Sequence, residues 1–336
     1  MKTRNNLNQK SVKLHSSDFN IKKNKYYIFA FLLFLSLVII SLFTGVYDIK
    51  NNKNGWEMFN ITRTSRTIAL ILTGISMSIC GIVMQIISRN KLVVPTTTGT
   101  IEWAGLGLIS TYLLIPSPTI LQRTIGAIFF SFFGTIIFFF LIKRVKLQSS
   151  IVIPIVGIMF GAIISSISNF IGLMFNATQT LSVWFSGSFS TIESGRYELL
   201  WFVVVVTAII YIYADRLTVA SLGEDIAKNL GINYNQILLT STILISLTIG
   251  VVSAVIGNIP FLGLIVPNII SRFFGDNLKT NLPLVALLGS SVLIACDILA
   301  RIVIMPFEVP VSLILGTFGT VIFIIILLNK RGIRND

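Results

Sequence analysis

Charged side chains are scarce in this sequence: 12% of 336 residues, with only 13 Asp and Glu among them. Soluble domains carry about twice that share. Histidine occurs once, at His15, and cysteine twice, at Cys80 and Cys296. Such an inventory cannot build a zinc or haem centre, so no cofactor and no resident metal is expected. Both cysteines sit inside apolar runs, where they read as buried thiols rather than as a disulfide. There is no Gly-x-x-x-x-Gly-Lys-[Ser/Thr] stretch, which excludes binding ATP through that loop. Nothing offers the nucleophile–base set that an intramembrane enzyme needs. Strict alternation of apolar and polar residues is missing too, which excludes a transmembrane barrel.

Apolar residues fill the space that charge leaves. They make up 54% of the chain, at a mean hydropathy of +0.86. They fall in ten runs, at about 26–45, 66–88, 98–115, 122–142, 151–175, 198–214, 236–257, 261–274, 282–304 and 309–328. Runs of this length predict an all-α polytopic membrane protein with ten transmembrane helices. The eighth is short, which suggests a tilted or re-entrant element packed within protein. Only Pro154 and Pro267 fall within runs; the other prolines mark span ends or loops. Trp56, Trp103, Trp184 and Trp201 fall near span ends, as an aromatic belt would place them.

The net charge of +13 could suggest a nucleic-acid partner, but its placement points to topology. Seven of the 26 Lys and Arg lie in the first 25 residues, a tail rich in Asn, Lys and Ser that is expected to be disordered and cytoplasmic. The tail is too long and too polar for the charged start of a signal peptide. With the N-terminus inside, inner segments hold nineteen basic residues and outer segments seven. Both termini are therefore expected in the cytoplasm, with a membrane domain over 26–330.

One polar island stands out, Leu222-Gly-Glu-Asp-Ile-Ala-Lys-Asn-Leu-Gly231, on the cytoplasmic side. Leu222, Ile226 and Leu230 share a helical face, with glycines near both ends. Such a helix, over about 220–232, either lies in the lipid interface or serves as a handle for a cytoplasmic partner. On the outer side, Arg63 and Arg66 at the mouth of span 2 and Arg301 near the end of span 9 run against the usual sign bias. They suggest either headgroup anchors or a patch that receives carboxylates of an external protein. Asp297 and Arg301, spaced i, i+4, are expected to pair. Glu102 lies near the inner end of span 3. No chain of intramembrane carboxylates and histidines indicates a proton-driven carrier, so energy is expected to come from a partner.

These stretches resemble a known family. Arg63-Thr-Ser-Arg66, Gly81-Ile-Val-Met-Gln85 and Ser88-Arg-Asn-Lys-Leu92 with Pro95 are similar to the opening block of the iron-siderophore and cobalamin (FecCD-type) permeases of ABC importers. Leu222–Gly231, Phe261-Leu-Gly-Leu-Ile-Val-Pro-Asn268, Leu282-Pro283, Asp297-Ile-Leu-Ala-Arg301 and Glu308-Val-Pro310 continue the resemblance in order, from about residue 26 to 330. It implies a type II ABC importer permease fold in the bacterial cell membrane, paired with a second permease and carrying its substrate between the two. A cytoplasmic ATPase dimer would grip Leu222, Gly223, Glu224, Ala227, Leu230 and Gly231. An extracytoplasmic binding protein would dock through Arg63, Arg66 and Arg301. The path would be lined by small polar residues such as Ser165, Ser166, Ser168 and Asn169, which also suit plain helix packing. The chain departs from the family pattern at Asn90–Pro95, at Pro267-Asn268 and at Glu308–Ser312. Lys91 and Thr96–Thr98 look closer to Gram-positive permeases for catecholate siderophores. The implied cargo is a ferric siderophore. Alternatives are haem or cobalamin on the same machinery, or an ion-coupled secondary carrier.

Overall fold

The computed structural model describes residues 25–45, 55–145 and 151–331. The expected tail lies outside them, apart from Lys25. Thirteen α-helices carry the described chain: α1 Lys25–Phe43, α2 Gly55–Met58, α3 Ser65–Ile87, α4 Thr100–Leu114, α5 Ile120–Val145, α6 Val152–Met174 and α7 Thr178–Trp184, followed by α8 Phe202–Ser221, α9 Glu224–Asn229, α10 Tyr234–Val255, α11 Leu262–Phe274, α12 Leu278–Ile302 and α13 Val311–Arg331. A π-helical stretch, Phe59–Thr64, joins α2 to α3. Among the described residues there is no strand, only an isolated bridge between Ser186 and Gly257. Seven helical runs are long and apolar enough to cross a membrane, and α4, α11 and α13 complete the ten places where apolar runs stand.

The bundle is arranged around α3, which packs against α8, α10, α11 and α12. Lipid offers no hydrophobic drive to bring helices together, so close approach depends on small residues. Gly74, Ser78 and Gly81 form such a stripe on α3. A β-carbon at Gly74 would stand 2.5 Å from the Ser290 backbone of α12, and one at Gly81 would stand 2.1 Å from the Gly263 carbonyl of α11. The outer ring is different in kind. On α1 and α5, large apolar side chains such as Phe29 and Phe129 remain exposed, as a lipid-facing surface requires.

Proline placement refines the sequence expectation. Pro154 falls in the first turn of α6, where a missing N–H costs nothing. Pro283, expected at a span end, lies inside α12, because Asn277 caps the helix and starts it at Leu278. Pro267 does interrupt α11 and leaves the Gly263 carbonyl without its helical donor. Gln85 of α3 donates to that carbonyl at 3.4 Å. The neighbouring Asn268 amide donates to the Leu264 carbonyl at 2.7 Å and to the Lys91 carbonyl at 2.8 Å. Both cysteines are buried and free. Trp103 is not a belt residue: it packs with Phe130 and Phe160 over Gly134.

Gly81→Val should destabilise the bundle by about 1–3 kcal/mol through overpacking. It would be read as a lower Tm of the detergent-purified protein, and an unchanged Tm would contradict the close α3–α11 contact.

Candidate functional site

Polar chemistry gathers at the two ends of the bundle and in two cavities. At one end, α9 rests on α8 and α10. Gly223 precedes it at φ +119°, a backbone that other residues adopt only with strain, and a β-carbon there would stand 2.9 Å from Arg89 Nη1. Ala227, expected from the resemblance among the residues that an ATPase would grip, is instead fully buried and anchors the helix. Leu222, Ile226 and Leu230 are all exposed, as a contiguous apolar stripe. Beside them Lys228 Nζ pairs with Glu224 Oε1 at 2.8 Å, which holds the Glu224 carboxyl below its usual range and raises the Lys228 amine. A second clasp sits close by, where Lys91 bonds Asp276 at 2.9 Å and Ser271 at 2.6 Å. Partial burial pushes the Asp276 carboxyl up, but hydrogen bonds from Ser271 and Lys91 outweigh it and leave it low. This clasp is at full strength above the ordinary carboxylate range and is lost as pH falls through the lowered pKa.

The opposite end holds the expected arginines in an unexpected posture. Arg66 donates to Asp297 Oδ1 through Nε and Nη2 at 3.1 and 2.8 Å, and to both Glu308 oxygens at 3.0 and 2.8 Å. Arg301 donates to Asp297 Oδ2 at 2.8 Å, to Ser41 Oγ at 2.8 Å, and to the Ser41 and Thr44 carbonyls at 3.0 and 2.9 Å. Arg63 donates to the Leu42 carbonyl at 3.3 Å. Instead of projecting outward together, Arg66 and Arg301 are turned inward around a fully buried Asp297, and Arg301 with Arg63 caps the C-terminus of α1. Two positive and two negative side chains cancel, as a buried ionic cluster requires. The Asp297–Arg301 pair was legible from its spacing. The Arg66–Glu308 bond, 242 residues apart, was not.

Ser165, Ser168 and Asn169 of α6 line a cavity of about 220 Å³ together with Glu102, Thr178, Ser182 and Asn258. Ser166 points elsewhere, exposed and bonded to the Ala162 carbonyl. Glu102 Oε2 has no hydrogen-bond partner among the described residues. A larger cavity of about 660 Å³ lies toward the Arg66 end, with Arg123, Trp184, Arg196 and Glu308 in its walls. The sequence signal for it was the presence of Arg123 and Arg196 among the outer basic residues. No three His, Cys, Asp or Glu come together as a metal set among the described residues.

Asp297→Asn leaves two buried guanidinium groups facing one carboxylate, at a cost of about 3–5 kcal/mol. It should lower Tm more than Glu308→Gln does, and equal losses in a thermal-melt comparison would contradict the central place of Asp297.

Residues 28–329 match the FecCD transport family. The chain is 58% identical over 307 residues to the petrobactin import permease FatD of Bacillus anthracis, covering 91% of this chain and 92% of that one. It is 40% identical to the petrobactin permease YclN of Bacillus subtilis, over 90% and 98% of the two chains. Identity to the ferric-anguibactin permease FatD of Vibrio anguillarum is 38%, over 89% and 97%. A solved metal-chelate type ABC transporter in an inward-facing conformation superposes with a TM-score of 0.76 at 22% identity, over 91% of this chain and 99% of that one, a likeness of fold. The chain is a multi-pass membrane protein and belongs to the FecCD transport family.

Proposed function

We propose that this chain is the membrane-spanning permease subunit of an ABC importer that brings a ferric siderophore into the bacterial cytoplasm. Full-length similarity to three permeases named for petrobactin and anguibactin import carries the reading. A vitamin B12 permease, at 27% identity, is a more distant relative, which favours a siderophore over cobalamin. A catecholate siderophore is the finer proposal, resting on Lys91 and Thr96–Thr98. The chain itself performs no hydrolysis. A cytoplasmic ATPase dimer supplies the energy, a second permease completes the path, and an external binding protein delivers the cargo.

The termini and α9 face the cytoplasm in this scheme, as the basic residues favour. The exposed stripe Leu222, Ile226 and Leu230 suits a groove on the ATPase, the mode in which an amphipathic helix is seated by alternate apolar anchors. A helix lying in the interface would use the same residues, but here a buried Ala227 and the packing of α9 on α8 and α10 fix it to the bundle. The exposed apolar faces of α6 and α13 suit the second permease. Arg63, Arg66 and Arg301 sit beneath the docking surface for the binding protein. An incoming carboxylate reaches Arg66 by exchange with Glu308, which is 34% exposed.

Three measurements test this scheme. ATP-dependent accumulation of ferric petrobactin by proteoliposomes holding the complete complex is expected, with none when the ATPase is omitted. Uptake that persists without nucleotide but collapses with the ion gradient would establish a secondary carrier instead. Ile226→Glu with Leu230→Glu should cut ATPase co-purification at least about tenfold without lowering Tm, since both side chains are exposed. Glu308→Gln, by freeing Arg66, should tighten binding-protein docking about three- to tenfold at low salt, and weaker docking would remove Arg66 from that surface.

A further inference from the structure

The larger cavity contains a charge that the fold leaves unanswered. Arg123, in the first turn of α5, places its guanidinium carbon 4.4 Å from the ring centre of Trp184 at the end of α7. Trp184 is braced in turn by an edge-on contact with Tyr112, ring centres 5.6 Å apart. The guanidinium is thus stacked and oriented, yet it makes no hydrogen bond or ion pair among the described residues, and its Nε is buried without a partner. The Nη groups of that fixed fork, bonded to nothing among the described residues, are the geometry that receives an anionic oxygen. Leaving such a group partly desolvated is costly unless something answers it.

The surroundings reinforce this reading. Arg196 shares the wall and is itself paired with Glu193, while the carboxylate on the far side, Glu308, is held by Arg66. The charges of the cavity therefore cancel except at Arg123. Ser182, Ser188 and Ser190 place hydroxyl groups in the same walls, Ser182 donating to the Gln179 carbonyl at 2.8 Å and Ser188 and Ser190 bonded to each other at 2.9 Å. The floor is rigid: Ser312 bonds the Ser186 carbonyl at 2.5 Å, and Gly187 at φ +62° lies so close to the Asn258 carbonyl that a β-carbon would stand 2.2 Å away. A volume of about 660 Å³ suits a small molecule rather than a protein side chain. Ser182 also lines the smaller cavity with Glu102, Ser165, Ser168 and Asn169, so the two cavities are neighbours across that residue.

We propose that this cavity is an anion-receiving vestibule in which Arg123, oriented by Trp184, takes an anionic oxygen of the cargo chelate as it leaves the binding protein. The proposal rests on the siderophore-import reading above and adds a recognition residue to it. The ligand class is a metal chelate with ionised carboxylate or catecholate oxygens, held through charge and the fork of donors.

Two readouts keep the proposal separate from the cargo assignment. The first is local and needs no cargo. In the assembled complex, Ser190→Cys is labelled with an anionic and with a cationic methanethiosulfonate, and the ratio of rates reports the field in the cavity. Adding Arg123→Gln should lower the anionic-to-cationic ratio about tenfold, whereas Arg123→Lys should retain most of it. The second is uptake of ferric petrobactin by the reconstituted complex. Arg123→Gln should lower kcat/KM at least about tenfold with binding-protein affinity unchanged, and Arg123→Lys should recover part of the loss. An unchanged labelling ratio, or uptake unaffected by Arg123→Gln, overturns the proposal. Loss of binding-protein affinity in place of uptake overturns it as well, by placing Arg123 in the docking surface. If the wild-type complex does not take ferric petrobactin, the cargo reading falls and the labelling ratio alone decides the vestibule.

Discussion

A backbone carbonyl that loses its helical donor inside a membrane has no water to turn to, and this constraint organises the polar residues of the chain. Gln85 answers the Gly263 carbonyl left open by Pro267. Arg301 answers the Ser41 and Thr44 carbonyls at the end of α1. These side chains are therefore first of all parts of the scaffold. Only what remains after that accounting, such as the exposed stripe on α9 or the open guanidinium of Arg123, is available for partners and cargo.

The same constraint links the two ends. Helix α3 runs for 23 residues, about 35 Å at an α-helical rise, from the ionic cluster at Arg66 to the turn where Arg89 meets Gly223. Its contacts with α11 and α12 are made through glycine, backbone against backbone. Close-packed backbone contacts of this kind leave little room to yield, so α3 is a stiff element between the two ends. Helix α5 packs on α4 and α10 rather than on α3, and it presents large side chains such as Phe129 and Phe133 outward.

The ten helices were legible because spacing and length of apolar runs are what a bilayer selects. Their ends were less so. Helix α8 continues through Asp215, Arg216 and Thr218 to Ser221, well past the apolar run, because a helix leaving the membrane needs no apolar residues to persist. The start of α12 was masked by Pro283, although Asn277 and Leu278 supply a cap and a first turn ahead of it. At the sites, local signals held and distant ones did not. The apolar face of α9 and the Asp297–Arg301 pair follow from helical spacing, and three of four path residues share one cavity. The inward turn of Arg66 required a carboxylate far along the chain, and an arginine's position in sequence does not reveal which way its guanidinium points.

The uncovered stripe of Leu222, Ile226 and Leu230 also bears on how such a subunit behaves before assembly. Apolar side chains that face water invite non-specific association with any exposed hydrophobic surface. If the stripe seats on an ATPase as proposed, a copy made without that companion carries a sticky spot on its cytoplasmic side. On that scheme, the subunit accumulates intact more readily when its parts are produced in balance.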